Sequence, residues 1–339
     1  MDSGSPDLSI RGQASYYSAR NDERLEPGTR NTELERSEPM KFDLPIRIHW
    51  QPGDLVSRDL VESIRGGSPL AVTLEIERVG QLAPFDLPWE GVSLVIVYRG
   101  WRDRDQDVIA GIAKRWEFPI EGPREAKYLA EASFLGLPPA EAAFRWFPRR
   151  GKMRDLIPIL ETVGSAGCGL TLPNRPAGVI TSEGAEAFPD AGELSGEVLS
   201  KLKTLKNELR SGQIRIHDFI LTEALSLESV EPQGCEAANS IAFIDSEGRV
   251  YPCETLMVPM GDLNREKLDA IWASPLRDRI RRDVGSVPGL CSTCPDLDRC
   301  RGGCRGAVYH LMGHYGAPDP LCPADAPEDM PEDTETQHE

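Results

Sequence analysis

Seven cysteines crowd the final third of this 339-residue chain. Cys235 and Cys253 stand at the mouths of a strand–turn–strand pattern, with alternating apolar residues from Ser240 to Asp245, a Ser246-Glu247-Gly248 turn, and a second apolar run ending at Pro252. Cys291, Cys294, Cys300 and Cys304 form a tight C-x2-C-x5-C-x3-C run, and Cys322 follows Asp319 and Pro320. Thiols so arranged have three chemical uses. Disulfides fit poorly, because no secretory segment precedes them and a reducing compartment keeps such bonds open. Zinc is served by paired C-x2-C loops, whereas one such loop is present here. Iron–sulfur clusters take four thiolates each, in runs whose last cysteine can cross to a neighbouring cluster. Spacing leaves zinc and iron–sulfur both open, with iron–sulfur ahead.

The residues between the thiols narrow the choice. The order of the seven cysteines resembles the SPASM domain, and so do the stretches Gly248 to Cys253, Met260 to Asn264, Ile271 to Pro275 and Cys300-Arg-Gly-Gly-Cys304. That domain is the auxiliary-cluster module at the C-terminus of many radical SAM enzymes that modify peptides and proteins. The resemblance implies two 4Fe–4S clusters. Cys235, Cys253 and Cys304 would hold the first; Cys291, Cys294, Cys300 and Cys322 would hold the second, so that Cys304 leaves its own run. Many members carry a further cysteine shortly before the first, but Glu228 to Gly234 has none. One iron of the first cluster is therefore expected to take water, Glu228 or Glu231, the remote Cys168, or a group from a bound peptide, with water or a local oxygen the simpler expectation.

Upstream, strand and helix patterns alternate. Strands are expected at Pro45 to Trp50, Leu70 to Ile76, Val92 to Val97, Glu117 to Ile120, Ala143 to Phe147 and Cys168 to Leu172. Helices are expected at Asp54 to Ile64 with Asp54 as cap, at Asp105 to Trp116, at Arg124 to Leu135, at Lys152 to Val163 with a kink at Pro158, and from Val198 to Leu209. Such alternation means an α/β fold with a mostly parallel sheet. With the resemblance, it reads as a degenerate radical SAM-like partial (β/α)6 barrel followed by a small C-terminal SPASM iron–sulfur domain. The expected boundaries are a polar arm over 1–40, the barrel over 41–230, the SPASM domain over 231–323 and an acidic tail over 324–339.

Radical SAM enzymes carry a C-x3-C-x2-C motif in the loop after their first strand. The corresponding loop, His49 to Ser57, has no cysteine, and Cys168 is the one thiol upstream of Cys235. The pattern is similar to the GeoRSP-system group of SPASM proteins, which lack that motif and accompany a separate radical SAM/SPASM enzyme. The resemblance implies an accessory iron–sulfur protein that relays electrons or positions a peptide substrate, with no independent cleavage of S-adenosylmethionine. A zinc-stapled interaction scaffold with no redox role is the alternative.

The net charge of −17 argues against nucleic acid as a partner, no apolar run has the length of a membrane span, and the N-terminal residues lack a signal peptide's pattern, so a cytoplasmic protein is expected. His49 and His217 lie in strand-like segments and read as hydrogen-bonded structural histidines that could reach a barrel mouth. His310 and His314 sit four apart on an expected helix. Asn264 reads as the cap of a helix that packs Leu268, Ile271 and Trp272 inward. Arg277, Arg279, Arg281, Arg282, Arg299, Arg301 and Arg305 either stabilise a reduced cluster or line a solvated face. Gly302 and Gly303 would let backbone N–H groups approach sulfur, and Cys168 reads as a small core residue.

Overall fold

Short runs of β-branched and aromatic residues set the strands. The computed structural model describes residues 41–322 apart from 55, 103–114, 190–192, 194–195, 211 and 226–233. Within it, β1 (Arg47–Trp50), β2 (Ala71–Ile76), β3 (Ser93–Tyr98), β4 (Arg115–Pro119), β5 (Ala142–Arg145), β6 (Gly169–Leu172) and β7 (Ile214–Ile216) lie side by side, each parallel to the next. On the other side of β1 comes β8 (Ile241–Ile244), also parallel, then β9 (Arg249–Tyr251) and β10 (Gly261–Asp262), both antiparallel to their neighbours. The result is a mixed ten-stranded sheet with flanking helices, organised as a partial α/β barrel that leads into a cysteine-rich C-terminal region.

The alternation predicts six parallel strands; β7 and β8 extend the run. β7 has three residues, too few for an alternation to register in sequence. β8 is one arm of the expected hairpin, but its other edge pairs with β1, Arg47 opposite Ile241 and Trp50 opposite Ile244. The cysteine-bearing hairpin therefore continues the barrel's own sheet.

Strand periodicity separates two faces. Ile48 and Trp50, Val72 and Leu74, Leu94 and Ile96, Trp116 and Phe118, Phe144, and Leu170 and Leu172 are all buried. They share one core with Val61 and Ile64 of α1 (Arg58–Gly66), Leu129 of α2 (Pro123–Glu131), and Ile159 and Val163 of α3 (Leu156–Ala166). The residues between them point to the opposite face, and several are charged. Further helices are α4 (Ala177–Glu183), α5 (Gly196–Glu208) and α6 (Phe219–Ala224).

Several helix boundaries differ from expectation. The cap of α1 is Ser57, whose hydroxyl accepts from the Leu60 N–H at 3.2 Å, while Asp54 pairs with Arg78 at 2.5 Å. Pro158 produces no break because α3 begins at Leu156, which puts the proline in the first turn, where its missing N–H has no partner to lose. Most of the helix expected from Asp105 lies outside the described residues, and Trp116 belongs to β4. The arm over 1–40 and the tail after 323 also lie outside them. Among the described residues, no helix is long and apolar enough to cross a membrane.

Candidate metal centre

All eight cysteines are free thiols. Six of them lie in the turns and helices that follow β8, and Cys235 lies just before it. Cys235 precedes an isolated bridge at Ala237, and Ala238 takes a left-handed φ of 55°, folding that segment back toward β8. Helix α8 (Pro275–Gly285), which follows α7 (Leu268–Trp272), pins it from the side. Arg281 Nη1 donates to the Cys235 and Ala237 carbonyls at 2.6 and 2.8 Å, and Arg277 Nε donates to the Ala238 carbonyl at 2.7 Å. Arg277 is buried over the Trp272 ring, 5.1 Å from its centroid. These two arginines therefore hold backbone in place and do not form a solvated face. Asn264 caps no helix: its amide ties Glu247 O and Asp262 Oδ1 in the turn before α7, which starts from Lys267.

Cys253 ends the second arm of the hairpin, and the Leu256 N–H donates to its sulfur at 3.3 Å. Burial pushes the Cys253 thiol up to about 12 and Cys235 adds to the rise, while the Leu256 and Thr255 N–H groups oppose it. Burial also raises Cys235, against the N–H groups of Ala237 and Arg305 and the charge of Arg281. Cys304, at the start of α10 (Arg305–Met312), is held well above its ordinary value by burial, then by Asp319, Cys253 and Cys235. Cys235, Cys253 and Cys304 thus share one electrostatic neighbourhood.

Three of the other four, Cys291, Cys294 and Cys322, enter one another's surroundings or those of Cys300. Burial and Asp319 push Cys300, the last residue of α9 (Leu297–Cys300), up to about 12, the Gly302 N–H opposes, and Cys322 and Cys291 raise it further. Cys291 is raised by burial, opposed by Arg305, and raised again by Cys294. Asp319 acts on both Cys304 and Cys300. Its Oδ2 accepts the Cys304 N–H at 2.5 Å and its Oδ1 the Leu321 N–H at 2.8 Å. Gly303, at φ +70°, makes room for it, since a Cβ there would collide with the Asp319 carboxylate. Of the two expected glycines, Gly302 alone serves a sulfur in the way anticipated; Gly303 admits a carboxylate.

The donor set suits iron–sulfur chemistry. Thiols in dry surroundings stay protonated until a cation takes the proton's place, and amide N–H groups aimed at sulfur stabilise the resulting thiolate. Among the described residues, no three His, Cys, Asp or Glu side chains converge as they would on a single ion.

The remaining expected residues fall elsewhere. Cys168 is buried in the hydrophobic core, pushed up to about 12 by burial, with its carbonyl accepting from Gln213 at 2.8 Å. Helix α10 ends at Gly313 in a left-handed conformation, so His314 is off the helix that carries His310 and the two do not form a pair. His310 Nε2 accepts the Met257 N–H and His314 Nδ1 the Gly316 N–H. Glu228 and Glu231 lie outside the described residues.

Sequence reasoning missed a chain of charges on one face of the strands, exposed at Arg99 and largely buried from Glu75 onward. Arg99 pairs with Glu75, and Glu75 meets His49 Nε2 at 2.8 Å. His49 Nδ1 meets Glu254 at 2.6 Å, and Glu254 lies 3.5 Å from Arg145. Arg145 meets Glu117 at 3.0 Å, and Glu117 also takes Arg115 at 3.1 Å and the Thr171 hydroxyl at 2.6 Å. Burial opposes the charge on His49, but Glu254 and Glu75 outweigh it and raise the imidazole to about 9. Burial works against Glu75 and Glu117 as well, yet their cationic partners hold both carboxyls below the usual range. His217, beyond β7, is lowered by burial and by Arg145. The available signal was the charged or polar residue at alternate positions of otherwise apolar strands: Glu75, Glu117, Arg145 and Thr171.

Residues 235–295 match the family model described as SPASM, an iron–sulfur cluster-binding domain. A 90-residue stretch is 31% identical to the AdoMet-dependent heme synthase of Methanosarcina barkeri and covers 26% of each chain. The mycofactocin maturase MftC of Mycobacterium ulcerans is 30% identical over 92 residues, 26% of this chain and 25% of that one. The PqqA peptide cyclase of Streptomyces rochei is 32% identical over 79 residues, 22% of each. These matches span about a quarter of the relatives' lengths. Among solved structures, hexahistidine-tagged anSMEcpe with bound AdoMet superposes with a TM-score of 0.41 at 12% identity, over 82% of this chain and 90% of that one. Native anSMEcpe with bound AdoMet and Cp18Cys peptide gives 0.41 at 10%, over 82% and 94%. The chain thus carries a C-terminal SPASM domain, matched over residues 235–295.

Proposed function

We propose that the protein holds two 4Fe–4S clusters and works beside a radical SAM/SPASM enzyme in the modification of a peptide. Cys235, Cys253 and Cys304 would bind the first cluster and leave one iron without a cysteine. Cys291, Cys294, Cys300 and Cys322 would bind the second. The observation that carries this reading is the company kept by Cys304, whose thiol shares its surroundings with Cys253 and Cys235 although its neighbours in sequence are Cys300 and Cys294. The clusters, when bound, supply one-electron redox capacity. The chain's own residues bury them, aim amide N–H groups at sulfur and fix the backbone through Arg277 and Arg281. The peptide substrate is supported by the name of one relative, the PqqA peptide cyclase, and the partner role by the absence of a C-x3-C-x2-C motif within this sequence. In this reading the protein relays electrons, positions the peptide, or does both, and does not cleave S-adenosylmethionine unaided. It is taken to work in the cytoplasm, without nucleic acid or membrane.

The test is anaerobic purification with iron and sulfide assays, followed by paramagnetic resonance of the reduced protein and co-purification with radical SAM/SPASM enzymes. Two distinguishable cluster signals and a retained enzyme are expected. Stoichiometric zinc without sulfide would establish the structural scaffold instead, and cleavage of S-adenosylmethionine by the isolated protein would end the accessory role.

A further inference from the structure

Arg305 packs against the Cys300-Arg-Gly-Gly-Cys304 loop, whose two end thiols belong to different clusters in the two-cluster reading. It follows Cys304 at the first position of α10 and is completely buried. Its Nη1 donates to the Tyr315 and Ala317 carbonyls at 2.8 and 3.1 Å, and its Nη2 donates to the Gly302 carbonyl. The Nε–H is buried with no partner. Native interiors rarely leave such a donor without an acceptor. The backbone N–H of Arg305 also serves Cys235. Gly302, at φ +88°, keeps the space open, because a Cβ there would lie 3.3 Å from Arg305 Cζ.

We propose that Arg305 links the two clusters electrostatically, its Nε–H donating to a cluster sulfur and its buried charge stabilising the reduced state of both. The inference rests on the two-cluster reading above. A cluster gains negative charge with each electron, so a fixed cation nearby raises its reduction potential, and a hydrogen bond to sulfur acts in the same direction. A guanidinium does not lose its proton in proteins, so the effect holds at any working pH. Arg281 donates to backbone carbonyls with Nη1 and contributes to Cys235 from the side of α8.

The experiment uses the full chain loaded anaerobically with iron and sulfide. Iron content, redox titration and pulsed paramagnetic resonance are compared for wild type, Arg305→Gln and Arg305→Lys. In Arg305→Gln both potentials should fall, changing the reduced-to-oxidised ratio at a fixed potential about tenfold, which is about 59 mV for a one-electron couple. Arg305→Lys keeps the charge and loses the Nε–H, so it should restore part of the shift. In wild type grown on guanidino-15N arginine, the reduced clusters should show a nitrogen coupling that Arg305→Lys removes. Unchanged potentials in a fully loaded Arg305→Gln protein would overturn the inference alone. If Arg305→Gln fails to load, the coupling in labelled wild type decides, and its absence would overturn the inference. A wild-type protein without iron and sulfide would overturn the two-cluster reading and this inference together.

Discussion

On one face of the strands, largely buried charges meet opposite charges at hydrogen-bond distance; around the cysteines, the donors face sulfur. The chain from Arg99 through Glu75, His49, Glu254, Arg145 and Glu117 to Arg115 alternates in sign, and each charge stands beside an opposite one, although Glu254 Oε2 accepts no aligned hydrogen bond. The cysteine region has amide N–H groups directed at thiols, a buried carboxylate at Asp319 raised to about 7 by burial and by Asp218, and an Arg305 Nε–H with no acceptor. In the first region every charge has an opposite charge of the protein within 4 Å. The second has the donors that an anionic inorganic centre would use. Glu254 joins them, since it follows Cys253 in sequence while its carboxylate belongs to the ion chain. Burial of polar groups is therefore no guide to a binding site by itself; what separates the two regions is whether their partners are already present.

The strongest test of this contrast is Cys304→Ser. If Cys304 serves the first cluster, iron and sulfide should fall by about half and one resonance signal should vanish while the other persists. Loss of the second cluster's signal would reassign the thiol. Next in size is Glu117→Ala, which leaves Arg145 and Arg115 buried without their shared partner. Unfolding in denaturant should show a loss of about 3–5 kcal/mol, with unchanged iron per folded chain. A loss below about 1 kcal/mol would mean that water already screens the ion chain.

The pH response of His49 is smaller. Its folded value of about 9 lies above the ordinary 6.5, so its ion pairs stabilise fully below pH 6.5 and lose their effect as pH rises to about 9. The loss is at most about 3 kcal/mol, at about 1.4 kcal/mol per pH unit. Unfolding measured across that window should slope downward in wild type and flatten in His49→Gln; equal slopes would place the proton elsewhere in the chain. Ser57→Ala serves as a reference outside both regions. It should cost about 1 kcal/mol through the lost cap of α1 and leave iron content untouched.

Much of the frame is legible in the sequence. β1, β2, β3 and β6 fall where the apolar runs place them, and the hairpin of β8 and β9 forms around its turn. These elements are local, and their periodicity reports them. The errors concern competition between neighbours. Asp54 and Ser57 are both good caps, and the choice between them is made by Arg78, which pairs with Asp54. His310 and His314 have helical spacing, but Gly313 ends the helix between them. The arginines after Trp272 read as either solvated or structural, and only their burial against the Cys235 to Ala238 carbonyls separates the two.

The sequence by itself determined which side chains can bind iron, in what order they occur, and that a SPASM domain is present. Thiol chemistry belongs to the residue, and short spacings with glycine turns constrain it nearby. The tertiary structure alone decided that β8 joins β1, that Arg277 and Arg281 pin the backbone from Cys235 to Ala238, and that His49 finds acids on β2 and after β9. Those relations depend on strand register and helix packing between segments far apart in the chain, and no local pattern encodes them.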